Sequence, residues 1–212
     1  MWPRLALSLT VVALSAGSLW PVAAQTIAPL QPDANRRVTY YIGTGDAESR
    51  FRPADVELAT WALRTWEKAL NGALTFVPSS EEEALVRVQW VGPNGGYGEM
   101  RPLLVRGRRG AVVYIRPDTN ALGAPIAKLA QDDPLVRETI VYLTCLHELG
   151  HALGLEHTAA FADIMYFFGY GGDIPGFFMR YRSQLQSRAD IAKTQGLSAD
   201  DVTRVRALYS AR

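Results

Sequence analysis

His147-Glu148-Leu149-Gly150-His151-Ala152-Leu153-Gly154-Leu155-Glu156-His157 holds all three histidines of this 212-residue chain. His147 and His151 stand four residues apart, so on a helix they lie one turn apart on the same face. Two imidazoles placed this way can hold one Zn²⁺ at ordinary Zn–N distances. Glu148 follows the first of them and flanks the open position where a water would sit. Gly154 can take a positive φ without a Cβ clash, so it can end the helix and let the chain turn back. His157 then arrives as a third ligand. The whole pattern is H-E-x-x-H-x-x-G-x-x-H, and the glycine and third histidine at these offsets make chance a poor explanation.

These residues resemble a metzincin metalloprotease. The resemblance implies a methionine turn forming an apolar floor under the zinc site, and Asp163-Ile164-Met165-Tyr166 stands at the right distance, with Met165 as the turn residue. Met165 followed directly by Tyr166 is similar to the matrixin branch. Other branches carry a tyrosine two residues after the methionine, where it can approach the metal. Here that position is Phe167, which has no oxygen, so no tyrosine ligand is carried over. The cysteine-bearing pro-segment of many matrixins and the second, histidine-bound structural zinc of vertebrate members are not expected. A bacterial-type single catalytic domain is the closest description.

That resemblance implies an α+β fold: a twisted five-stranded mixed sheet, mostly parallel, an active-site helix, a Met-turn and a C-terminal helix. It implies an endopeptidase with one catalytic zinc on His147, His151 and His157 and with Glu148 as general base. Its substrate would be a protein or peptide, and a monomer is expected. Two alternatives stay open: a non-catalytic zinc-binding domain of the same fold that grips peptides, and a hydrolase of peptide cross-links in a cell wall. No wall-binding repeat is visible.

The chain is 48% hydrophobic and 20% charged, ordinary globular composition and enough for one well-buried domain. Residues 1–24 carry one charge (Arg4), an apolar run and then Val22-Ala23-Ala24, which reads as a signal peptide cleaved after Ala24. An uncleaved anchor is the competing reading, weakened by Ser8, Thr10, Ser15 and Gly17 within the run. Export to the periplasm or the exterior, with no stable membrane association after cleavage, is therefore expected. Removing Arg4 with the signal brings the formal charge from +1 to about zero, which argues against a nucleic-acid partner. The lone Cys145 reads as a small buried hydrophobe, since residues two apart on a helix point to different sides. Asp118, Asp132, Asp133 and Asp173 offer oxygens for calcium, but none shows the spacing of a calcium loop.

Residues 25–35 read as an extended leader and 36–212 as the metallopeptidase domain. Alternation predicts strands at 37–42, 74–77, 85–91, 99–105 and 111–115, with 106–110 as a hairpin loop. Helices are predicted from Pro53 to Leu70, from Pro134 to Gly154 and from Ser198 onward. Trp61 and Trp66 are core residues by default. Glu81-Glu82-Glu83 reads as a solvated turn, and Arg101, Arg106, Arg108, Arg109 and Arg116 as solvated charges guarding a sheet edge rather than an acidic-substrate site. The glycine- and aromatic-rich residues 167–196 would either shape an apolar pocket or lid, or pack onto the lower part of the domain.

Overall fold

A computed structural model describes residues 27–210; the expected signal segment 1–24 lies outside the described residues. One sheet runs in the order β2-β1-β3-β5-β4, from β1 (Arg37–Ile42), β2 (Thr75–Pro78), β3 (Val86–Trp90), β4 (Gly98–Val105) and β5 (Arg108–Ile115). Four strands are parallel, and β4 pairs antiparallel with β5 to form the edge. Alternation does what the sequence expects of it: Val86, Val88, Ala111, Val113 and Ile115 are fully buried, while Arg87 and Gln89 between them are not.

The hairpin is tighter than its sequence suggests. Arg106 and Gly107 both take positive φ, 49° and 76°, the two-residue turn whose twist matches that of the strands it joins. Arg108, Arg109 and Gly110 consequently belong to β5, not to a five-residue loop. Gly110 is needed for close approach, since a Cβ there would lie 2.3 Å from the Leu85 carbonyl oxygen.

The sheet packs on α1 (Asp55–Leu70) and α3 (Pro134–Leu153). On α1 the buried stripe is Leu58, Ala59, Ala62, Leu63 and Trp66, and left-handed Asn71 ends the helix. Asp133 caps α3 by accepting from the Leu135 amide, Pro134 fills its first turn, and Gly154 ends it at φ 106°. α3 is buried almost all round, so its side chains are fixed on every face. Trp66 donates from its indole to the Leu146 carbonyl at 2.8 Å and locks the two helices together.

Two further helices escaped the sequence reading. α2 (Ala124–Asp132) precedes α3 and buries one residue, Ile126, so its periodic signal is faint. α4 (Ile174–Arg182) lies within the glycine-rich segment, capped by Asp173 and opened by Pro175. The last helix, α5 (Ala199–Tyr209), begins with the expected box, Ser198 and Asp201 bonding each other's backbone amides. The leader from Ile27 to Asn35 has no helix or strand, but Leu30 is fully buried and its amide donates to the Tyr209 hydroxyl. None of the described helices is long and apolar enough to cross a membrane.

Asp55 and Arg137 form a buried bidentate pair at 2.7 and 2.8 Å that ties α1 to α3. Removing one partner strands the other charge, so Asp55→Ala should cost about 3–5 kcal/mol in denaturant unfolding. The double change Asp55→Leu, Arg137→Met should recover most of that loss. Additive losses would show that the pair is not coupled.

Candidate metal centre

The site grows from the end of α3. Its last turns place His147 and His151 on one face, and the left-handed turn at Gly154 reverses the chain. The Leu155 amide donates back to the Gly150 carbonyl at 3.0 Å, sealing the reversal. A Cβ on Gly154 would approach the Pro29 backbone to 3.0 Å, a second reason for glycine there. His157 is thereby brought onto the other two rings.

Backbone carbonyls set the rings. His147 Nδ1 is 2.6 Å from the Ile164 oxygen and His151 Nδ1 is 2.7 Å from the Leu155 oxygen, so each Nδ1 carries the donated proton. Their Nε2 lone pairs then face inward, 3.3 Å and 3.1 Å from His157 Nε2. A tetrahedral metal with Zn–N distances of about 2.0–2.1 Å needs nitrogens about 3.3 Å apart, so the donor set fits zinc. Burial is the main cause that pushes His147 down to about 3 and His151 down to about 4, and it also lowers His157. All three are thus neutral at pH 7, the form that binds metal. Among the described residues this is the one group of His, Cys, Asp and Glu side chains that could hold an ion.

Below the triad lies fully buried Met165. A Cβ on Gly150 would come within 2.4 Å of its sulfur, so an undistinguished position inside the histidine motif is what lets the methionine approach. The turn is held from outside by α5. Buried Asp201 accepts from the Ile164 amide at 2.8 Å, and Ser198 donates to Asp163 at 2.7 Å. The Phe167 ring lies 4.6 Å from that of His157 and covers its outer side. Cys145 is fully buried, burial pushes its thiol well up, and it takes no part in the triad.

A cavity of about 710 Å³ opens over the three histidines. Glu148 lines it at 6% exposure, with its Oε1 2.5 Å from where a Cβ on Gly98 would stand. Burial, and after it the charge of Glu99, push the Glu148 carboxyl up to about 8; a bound dication would pull it back down. Leu143, Phe168, Phe177 and Phe178 form an apolar wall. Both readings of residues 167–196 therefore hold at once: Phe177, Phe178 and Tyr181 are buried in the lower part, and two of them also face the cavity. Arg180, unmarked in the sequence, stacks 4.2 Å from the Phe177 ring centre and donates to the Phe161 and Ala162 carbonyls, pinning the loop to α4. Gly98, to which the sequence gives no role, opens β4 directly over Glu148.

The other candidates lie elsewhere. Arg101 pairs with Glu99, Arg106 with Glu83 and Arg116 with Asp118, and half-buried Arg109 donates to the Ala152 carbonyl. Arg108 pairs with Val105 across the hairpin, and none of the five arginines lines the cavity. Asp118, Asp133 and Asp173 each cap a helix, and Asp132 pairs with Lys128.

Comparison with known proteins finds no match among curated relatives. Over residues 33–173, well over half its length and including every residue of the triad, the chain matches the matrixin family. That match and the α+β architecture around the histidines lead to one assignment: the chain belongs to the matrixins, a family of zinc metalloproteases.

Proposed function

We propose that this chain is an exported endopeptidase that cleaves peptide bonds at the His147–His151–His157 centre with Glu148 as general base. The observation that carries this reading is the position of Glu148. Its carboxyl is buried in the cavity toward which the three imidazoles converge, beside the start of the free edge strand. Zinc held by the three histidines would supply Lewis acidity and acidify a water in the open position. Glu148, ionised once the site's cation offsets its burial, accepts the proton of the attacking water and returns it to the departing amine nitrogen. Backbone groups at Gly98 and Met100 position an extended substrate, and the apolar wall of Leu143, Phe168 and Phe177 receives one substrate side chain.

Export rests on the apolar, small-residue pattern of residues 1–24. The purified chain should bind one zinc by native mass spectrometry. Glu148→Ala should keep that zinc and lose about 10²–10⁴-fold in peptide turnover, measured by mass spectrometry on a diverse peptide library. Gly98→Ala should also keep zinc, but its Cβ would displace the Glu148 carboxyl, costing on the order of 10²-fold. Undiminished cleavage by Glu148→Ala contradicts the mechanism. Tight peptide binding without cleavage by the zinc-loaded wild type would favour the peptide-gripping alternative.

A further inference from the structure

The edge beside the cavity is interrupted. On the inner side of β5, the Ala111 amide donates to Leu85 and the Ile115 carbonyl accepts from Val91, so residues 111, 113 and 115 turn their backbone groups toward β3. Residues 108, 110, 112 and 114 consequently face β4, where they meet Val105, Leu103, Arg101 and Glu99. The outward groups of β4 are then those of Gly98, Met100, Pro102 and Leu104. Gly98 and Met100 line the cavity, and each presents an amide and a carbonyl that no other described residue takes up. Pro102 offers a carbonyl alone. Its ring carbon stands where the amide hydrogen would be, in the path of a partner strand that must come within about 4.8 Å.

We propose that Pro102 is a specificity-determining residue that ends backbone recognition of the substrate on this side of Glu148. An extended peptide pairs fully at Gly98 and Met100, accepts no bond at Pro102, and is turned off the edge before Leu104. Antiparallel pairing is the more stable form, so the N-terminal side of the peptide lies along β4. Recognition there is short, and residues further upstream contribute no ladder bonds. The same proline also protects the edge from other copies of the chain, which edge prolines do generally. The substrate effect is the added claim. It rests on the proposed function in taking the cleft as a peptide site beside a metal held by the three histidines.

The test is calorimetric binding of acetylated alanine-rich peptides to zinc-loaded full chain. Each peptide ends in a C-terminal hydroxamate that anchors it at the metal, and the series lengthens one residue at a time from two to eight residues. In the wild type, affinity should rise while residues reach Gly98 and Met100 and then level off. In Pro102→Ala and Pro102→Thr, with unchanged circular dichroism, it should rise further by about three- to tenfold, the effect of one or two added hydrogen bonds. Affinity that keeps rising with length in the wild type, or identical plateaus in all three proteins, would overturn the proposal. Failure of even the shortest hydroxamate to bind would instead remove the metal-site reading on which it rests. Cleavage data do not enter, so a binding module and a protease would both report on Pro102.

Discussion

Three imidazole lone pairs have to meet at one point, and neutral nitrogens gain nothing from meeting unless a cation sits between them. That constraint organises the lower half of the molecule. Two Nδ1 protons are fixed on the Ile164 and Leu155 carbonyls, so the rings cannot turn their other nitrogens away. One of those carbonyls belongs to the reversal after Gly154 and the other to the turn that carries Met165. The histidine rings are thus held by backbone on both sides, and the backbone is held in turn by packing.

The supports form a closed circuit. Tyr209, near the end of α5, accepts from the Leu30 amide at 3.0 Å and donates to the Leu153 carbonyl at 2.8 Å, at the last residue of α3. Asp201, at the start of the same helix, holds Ile164. One helix therefore anchors the segment before β1, the end of the helix that carries His147 and His151, and the turn at Met165. Burial pushes the Asp201 carboxyl up, so part of what the hydrogen bonds return offsets the cost of taking that group from water. Gly150 and Gly154 complete the circuit through close approach and positive φ, which a side chain would prevent.

Legibility followed the strength of the local signal. β3 and α3 are readable because alternation in the one, and a proline start and a glycine stop in the other, coincide with burial. The triad was readable because its spacing is itself the helix geometry. The hairpin differs from its expected loop by three residues, because the turn needs positive φ at Arg106, a residue that rarely takes it, as well as at Gly107. α2 escaped because one buried residue gives no period. α4 hid among glycines that read as loop, although Asp173 and Pro175 were its start signals. The roles of Gly98, Gly150, Arg180 and Pro102 are tertiary: each depends on what a distant strand, sulfur, ring or edge presents, and no local window contains that.

In the proposed site one zinc is held by these three imidazoles and by no other side chain. X-ray absorption at the zinc edge of the loaded protein tests it directly. The expected result is three nitrogen ligands at about 2.0–2.1 Å with one light, non-protein atom in the fourth place. A sulfur shell at about 2.3 Å, which only Cys145 or a methionine could supply, or a site with fewer than three imidazoles, would contradict it.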